Sequence, residues 1–244
     1  MNPRHGFLIG LAVLLCCTTA TSGRAAVSIS GTIGSDTTWM NTDTIIVTGN
    51  ITVAPAGHLT IQPGAVILFN SLTQIFVDGQ LTAQGEAADS ILFTARADTA
   101  GGVPVAGSWK GVTFHFGSSG AMRHCVLRFA DMCVYLDRAA PVFDSCLVEN
   151  FSLDGMYVDG QAAATPITPV IRDCIFRQSQ ANLFGAAKGI SVYRRADVTI
   201  SGCEVSRCLF GLDFASSAAY IPHFVVTDCV IKDNAAYGVY THAG

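Results

Sequence analysis

The sequence predicts an all-β protein, a solenoid in which short strands stack coil upon coil. Three observations favour this fold. From Thr44 onward, short β-branched runs alternate with Gly- and Pro-containing turns. No window of useful length has helical periodicity. In the second half of the chain one short pattern recurs, at a period of roughly 20–30 residues that is typical of stacked-coil architectures.

The composition is that of one folded domain. Half of the residues are hydrophobic and only 13% are charged, which excludes a disordered profile. The 24 glycines are consistent with many tight turns. The formal net charge of −4 provides no basic surface for nucleic acid, so we expect no nucleic-acid partner.

The first residues have the pattern of a targeting segment. Arg4 and His5 precede an apolar run at 7–15, and small residues follow through Ala26. This run is too short to span a bilayer. We interpret residues 1–26 as a secretory signal peptide, so we expect a secreted or cell-surface protein with no transmembrane segment in the mature chain.

The mature chain divides into a short cap and a long solenoid. Residues 27–43 are rich in Ser, Thr and Gly and read as a leading segment or N-terminal cap. Residues 44–244 carry the coils. Open ends of stacked strands need covering. We therefore expect residues 27–43 to cover the first coils, and the last coil either to continue in a longer chain or to pack on another domain or subunit.

The recurring pattern is an apolar residue, two polar or small residues, Cys, any residue and an apolar residue. Its five copies occupy residues 122–127, 143–148, 171–176, 200–205 and 226–231. Each copy is followed by a turn, usually with Gly, and then by a short alternating strand. The cysteines of the five copies are Cys125, Cys146, Cys174, Cys203 and Cys229.

These cysteines predict an interior ladder rather than a disulfide framework. Equivalent residues of neighbouring coils lie about 4.8 Å apart with parallel side chains. A disulfide prefers a Cβ separation of about 3.8 Å. We therefore expect small, polarizable, reduced thiols inside the solenoid. No Cys-x-x-Cys pair is present, so no zinc site is expected.

Four stretches resemble a known group of proteins. They are residues 59–69 (LTIQPGAVILF), 75–85 (IFVDGQLTAQG), 91–94 (ILFT) and 109–112 (WKGV). Together they resemble the opening of exported bacterial right-handed parallel β-helix repeat proteins of the pectin-lyase-like superfamily. The resemblance implies a right-handed parallel β-helix over residues 44–244. It implies no single function, because this superfamily contains lyases, hydrolases, adhesins and inert scaffolds.

The strand after each turn is the best candidate for a functional surface. Counting from the turn residue, Val134, Leu136 and their equivalents, including Val239, should point inward. The outward positions should form a ridge of aromatic and acidic side chains. The candidate ligand-binding residues on this ridge are Tyr135, Asp137, Tyr157, Asp159, Tyr193, Asp213 and Tyr240.

Three interpretations compete for this ridge. It is a solvated face that only covers the sheet, or a carbohydrate-binding face on which rings and carboxylates meet sugars. The third is catalysis by paired carboxylates such as Asp137 and Asp159, which one coil apart approach the separation found in retaining glycosidases. The same pair could share Ca²⁺, but that ion needs more oxygen ligands than the sequence shows.

Motifs of the superfamily's enzymes are mostly missing. Polygalacturonase-like enzymes carry an Asn-Thr-Asp stretch, an Asp-Asp pair, a Gly-His-Gly and an Arg-Ile-Lys. Residues 41–43 have the sequence Asn-Thr-Asp, but they precede the predicted coils, and none of the other three motifs follows. The sequence therefore favours an exported, non-enzymatic β-helix scaffold or adhesin-like module that binds polysaccharide or cell-surface glycan. The alternative is a polysaccharide lyase or glycoside hydrolase. We assign no catalytic residue, no metal ligand and no cofactor.

Overall fold

The computed structural model describes residues 24–99, 102–161, 165–216, 220 and 223–243. Most of the predicted signal peptide, residues 1–23, lies outside the described residues. Within the described part of the chain, no helix is long and apolar enough to cross a membrane.

The described chain is built almost entirely of short strands. The first eight are β1 (Ala25–Ile33), β2 (Thr37–Trp39), β3 (Asp43–Val53), β4 (His58–Ile61), β5 (Val66–Phe69), β6 (Gln74–Val77), β7 (Gln80–Gln84) and β8 (Ile91–Ala95). The next eight are β9 (Gly111–Phe114), β10 (Ser119–Arg123), β11 (Cys125–Arg128), β12 (Met132–Asp137), β13 (Val142–Asp144), β14 (Leu147–Glu149), β15 (Asp154–Asp159) and β16 (Val170–Arg172).

The remaining strands are β17 (Ile175–Arg177), β18 (Lys188–Tyr193), β19 (Val198–Ser201), β20 (Glu204–Ser206), β21 (Phe210–Ser216), β22 (Phe224–Thr227), β23 (Val230–Lys232) and β24 (Tyr237–Ala243). A single turn of 3₁₀ helix, Ala181–Leu183, precedes β18.

The strands stack into three parallel faces. Face 1 contains β2 and then every third strand from β4 to β22. Face 2 runs from β5 to β23 and face 3 from β6 to β24, again by every third strand. The long strand β3 pairs with β5 along its first half and with β6 along its second, and so joins faces 2 and 3. Strands β4–β24 thus form seven coils of three strands each, which confirms the predicted parallel β-helix.

The N-terminal segment forms the first layer of this stack. Strand β1 lies parallel to β3, and β2 lies parallel to β4. Residues 27–43, which we expected to cover the first coils, therefore add paired strands to their open edges. Trp39 of β2 is 5% exposed and joins the core.

One continuous apolar core fills the interior. It contains the inward residues of every coil from Trp39 to Phe214, and most of them are fully buried. Val134 and Leu136 point inward as predicted. Val239 stands in register with Leu212 but is 49% exposed, because β24 is the edge strand of face 3 among the described residues. The expectation that this end packs on another domain or subunit stays a prediction.

In the five coils that carry the ladder cysteines, a single left-handed residue makes the corner between faces 1 and 2. The residue directly before each ladder cysteine has a positive φ, between 44° and 63°. A left-handed residue turns the chain sharply, and small polar residues tolerate this conformation better than β-branched ones. The five corner residues are His124, Ser145, Asp173, Gly202 and Asp228.

The predicted interior cysteine ladder follows this corner. Cys125, Cys146, Cys174 and Cys203 are buried, Cys229 is half-buried, and none of the described cysteines forms a disulfide. The ladder is hydrogen-bonded along the axis. The N–H groups of Cys146 and Cys174 each donate to the Sγ of the next cysteine, at 3.4 Å. Hydrogen bonds between neighbouring thiols, together with burial, raise the pKa of Cys146, Cys174 and Cys203.

Charged side chains on faces 1 and 2 pair between coils. On face 2, Glu149 lies 3.2 Å from Arg177 and 3.8 Å from Arg128. Arg128 also contacts Asp98 at 2.6 Å. Arg128, Glu149 and Arg177 occupy equivalent positions of successive coils, where opposite charges stabilise the sheet, and Asp98 reaches Arg128 from the turn after β8. These charged side chains of face 2 are therefore partners of one another.

Candidate functional site

Face 3 carries every residue of the predicted ridge. Its outward positions form columns in which one residue stands over the next at each coil. The first column contains Tyr135, Tyr157, Ser191, Asp213 and Tyr240. The second contains Asp137, Asp159, Tyr193, Ala215 and His242. The structure therefore brings all seven candidate residues onto one surface.

The tyrosines pack against one another along the stack. The rings of Tyr157 and Tyr193 lie 5.0 Å apart and nearly parallel, at 18°. Tyr135 meets Tyr157 edge-on, at 5.4 Å and 75°. Burial, together with the neighbouring charge of Asp159, raises the pKa of Tyr157 to about 12. Part of each ring is covered by its neighbour, so the surface offers ring edges and protonated hydroxyls as well as ring faces.

A second aromatic group lies nearer the C-terminal coil. The Tyr240 ring stacks on Phe210 at 5.1 Å and on His242 at 5.0 Å. Tyr237 lies 5.0 Å from Tyr240. Five of the protein's six tyrosines therefore project from face 3.

Arginines from the turn after face 3 engage the two stacked carboxylates. Arg138 donates two hydrogen bonds to Asp137, at 2.8 and 3.1 Å. Arg194 lies 3.4 Å from Asp159, which also accepts the N–H of Gln161 at 2.9 Å. Like charges directly opposite in a sheet repel, and these two cations offset that repulsion. The pair that we considered for catalysis or Ca²⁺ is thus bound within the protein.

Asp213 is the centre of a polar network. Its side chain is only 1% exposed. Lys188 Nζ lies 2.6 Å from Asp213 Oδ2, and the Tyr193 hydroxyl donates a hydrogen bond to the same oxygen at 2.9 Å. His242 Nε2 lies 3.2 Å from Oδ1. Burial opposes the charge of Lys188, but its hydrogen bonds to Asp213 and Tyr193 prevail and raise its pKa. The network therefore holds a charged pair beneath the aromatic side chains.

Asp154 is a second carboxyl in this network. Its Oδ1 accepts a hydrogen bond from Ser191 Oγ, and its side chain is almost fully buried. Burial raises the pKa of Asp154 to about 6. The bond from Ser191 and the charge of Lys188 act against this rise, and the charge of Asp213 adds to it. Asp154 is therefore a carboxyl that changes charge near neutral pH.

Sequence reasoning missed Asp154 and Lys188, although a signal for them exists. Each directly precedes a glycine, Gly155 or Gly189, at the start of a face 3 strand. A Cβ on Gly155 would meet Phe176 and Phe151 of the core, so this glycine faces inward. The residue before it consequently faces outward. Asp154, Lys188, Phe210 and Tyr237 occupy this third outward column.

The first coils contribute a separate pair to face 3. His115 Nδ1 lies 2.6 Å from Asp78 Oδ1, and its ring stacks on Phe76 with centroids 5.3 Å apart. Phe76 is in register with Thr113, which is in register with Tyr135, so Phe76 continues the first column toward the N-terminal end. Asp78 and His115 directly follow the paired residues Val77 and Phe114. In the described part of the chain, no group of three or more His, Cys, Asp or Glu side chains is arranged to hold a metal ion.

Comparison with known proteins agrees with the fold. The sequence model of the family described as "Right handed beta helix region" matches residues 110–244. "Protein bark beetle" of Drosophila melanogaster is 39% identical over 56 residues, which cover 23% of this chain and 2% of that protein. The chain thus matches only a small part of that relative's length. No solved structure matches the chain. With parallel three-strand coils throughout and a family match over more than half of its length, the chain belongs to the right-handed β-helix family.

Proposed function

We propose that this protein is an exported β-helix module that binds a glycan through face 3. One observation carries the proposal: five of six tyrosines, together with hydrogen-bonding carboxylates, occupy adjacent columns of a single face. Tyrosine combines an apolar ring with a polar hydroxyl, a combination that suits contacts with sugars. A sheet face that is only solvated does not require most of the protein's tyrosines.

The columns suit an extended ligand. Equivalent hydrogen-bonding groups repeat at every coil, about 4.8 Å apart. Tyr135, Tyr157 and Tyr193 come from three successive coils, so their partly exposed edges form a row along the solenoid axis. A polymer with repeating hydroxyl groups can contact such a row several times, and each contact adds to its affinity.

The test is glycan binding with matched variants. We expect the protein to bind a subset of a glycan array and to release no reducing ends or unsaturated products. Tyr157→Ala should weaken binding about tenfold, because a central aromatic contact contributes most at such interfaces. Tyr157→Phe, which keeps the ring, should lose less. Phe184→Ala removes an exposed aromatic outside the outward columns and should bind normally.

Two outcomes would contradict the proposal. Absence of any glycan ligand would do so, and so would binding that is insensitive to Tyr157→Ala.

The alternative, a polysaccharide lyase or glycoside hydrolase, has one observation in its favour. A carboxyl with a pKa of about 6, as in Asp154, is suited to general acid catalysis near neutral pH. Its near-complete burial and its bond to Ser191 act against direct contact with a substrate. Cleavage products that disappear in Asp154→Asn would establish this alternative.

Export can be tested on its own. When the full chain is produced in a secreting host, we expect the protein outside the cells, with residues up to about Ala26 removed. Retention of residues 1–26 on an intracellular protein would refute the signal-peptide interpretation.

A further inference from the structure

We infer that the glycan bound by face 3 is neutral rather than acidic, an inference that rests on the proposed function. It comes from the pairing of charges on this face. An acidic sugar is recognised by arginine or lysine groups that are free to meet its carboxylate or sulfate. The question is therefore whether face 3 offers such a group.

The cations along the columns already have carboxylate partners. Arg138 is bound to Asp137 by two hydrogen bonds, Arg194 to Asp159 at 3.4 Å, and Lys188 to Asp213 at 2.6 Å.

Two neighbouring cations are also engaged. Lys110, just before β9, lies 2.7 Å from Asp131. The guanidinium carbon of Arg195, the residue after Arg194, lies 5.5 Å from the centre of the Tyr220 ring.

Along the columns, five aspartates outnumber the three cations Arg138, Arg194 and Lys188. Three of the aspartates are paired with cations. Asp78 has only His115 beside it, and Asp154 has Ser191 and the nearby charge of Lys188. The charges of His115 and His242 depend on pH, and both imidazoles lie against aspartates. The columns therefore present a negative excess to an approaching polymer.

An acidic polymer would consequently have to displace an aspartate from its cation. Such an exchange replaces one ion pair by another and leaves a protein carboxylate without a partner, which is costly where the carboxylate is buried. Asp159 and Asp213 are both buried. An uncharged sugar avoids this exchange, because its hydroxyls can donate to the remaining lone pairs of the carboxylates and accept from unused guanidinium N–H groups.

The experiment compares neutral and acidic ligands of equal length on the full chain. Oligosaccharides of a neutral glucan, mannan or xylan are titrated beside oligogalacturonate at low salt. We expect the neutral class to contain the ligand and the acidic oligomers to bind at least about tenfold more weakly. Added salt should reduce this difference, because it screens repulsion between charges.

A variant sharpens the test. Asp137→Asn releases Arg138, so it should improve the binding of oligogalacturonate relative to the neutral ligand by about three- to tenfold. Asp98→Asn makes the same change in net charge on face 2, where Arg128 keeps Glu149 as a partner, and should leave this ratio unchanged.

The outcomes separate the two claims. Tighter binding of oligogalacturonate than of every neutral oligomer overturns this inference and leaves the proposed function standing. If neither class binds and the glycan array contains no ligand, both claims are overturned. A ratio that shifts equally in Asp137→Asn and Asp98→Asn also overturns the inference, because it would show that net charge rather than the pairing on face 3 sets the preference.

Discussion

Lys188 Nζ lies 2.6 Å from Asp213 Oδ2, and this carboxylate has only 1% of its side chain exposed. The two residues stand on adjacent coils, on β18 and β21, and both point to the outside of the solenoid. An ionised carboxylate out of reach of water requires a partner. Lys188 and Tyr193 are the partners of Asp213 on the outer side of the sheet. Face 3 therefore has a buried polar layer outside the apolar core.

Replacing Lys188 by Met should therefore destabilise the protein. Loss of one member of a largely buried ion pair leaves an uncompensated charge, and we expect about 2–3 kcal/mol because Lys188 itself is partly exposed. The measurement is the midpoint of urea unfolding. Lys188→Met combined with Asp213→Asn should recover part of this loss, since the second change removes the stranded charge. A single variant as stable as the parent protein would contradict this account of the network.

Asp154 should make stability depend on pH. Its pKa is raised from 3.8 to about 6 on folding, so the folded state binds a proton that the unfolded state has lost. Stability should therefore fall as the pH rises from about 4 to above 6, by about 3 kcal/mol in all. Below pH 4 the carboxyl is protonated in both states and the effect vanishes.

The variant Asp154→Asn isolates this effect. It should be more stable than the parent protein at pH 8 and gain little at pH 3.5, as measured by unfolding at both values. Asp36→Asn changes an exposed aspartate in the turn between β1 and β2 and should alter stability little at either pH. Equal stability differences for Asp154→Asn at both values would show that the carboxyl is not perturbed.

Glycine at the start of the face 3 strands should be required for packing. A Cβ on Gly189 would lie 2.3 Å from Val205 Cγ1 and 2.5 Å from the carbonyl oxygen of Gly211. We expect Gly189→Ala to cost about 2–4 kcal/mol, because neither the core nor the neighbouring coil can give way easily. Gly34→Ala, where nothing lies within 4 Å of the added methyl group, is the matched control and should be nearly neutral. Similar unfolding midpoints for the two variants would refute this packing.

The thiols should be reduced and protected. With Cys16 and Cys17 replaced by Ala, denatured and unreduced protein should titrate seven free thiols. In the native protein Cys229 should react first, because it alone of the seven is not buried. The other six should react only on unfolding, because burial keeps reagents away from their thiols. A raised pKa further suppresses the thiolate form of Cys133, Cys146, Cys174, Cys203 and Cys208. Finding two or three disulfides would overturn the interior ladder.

Much of this architecture can be predicted from the sequence, because one residue type recurs at one place in each coil. The Cys pattern gives the coil period, and strand alternation separates Val134 and Leu136 from Tyr135. Those two regularities suffice to predict the columns of face 3. The same regularities do not show how the side chains pair.

The pairing depends on geometry that alternation does not encode. Arg138 and Arg194 lie in turns at φ 56° and 62°, where the direction of a side chain is set by the left-handed backbone rather than by strand parity. Lys188 and Asp154 each lie directly before an inward glycine. Alternate strand positions counted forward from that glycine do not include them. The rings that we expected to be open to sugars are in part stacked on one another, a feature visible only in three dimensions.

Side-chain oxidation by hydroxyl radicals, with and without a saturating neutral glycan, tests the binding role of face 3 most directly. Tyr135, Tyr157 and Tyr193 should be oxidised more slowly when the glycan is bound, while Met40 at the N-terminal end, which is 43% exposed, should be unaffected. Equal oxidation of the three tyrosines in both samples, or protection confined to faces 1 and 2, would contradict a glycan site on face 3.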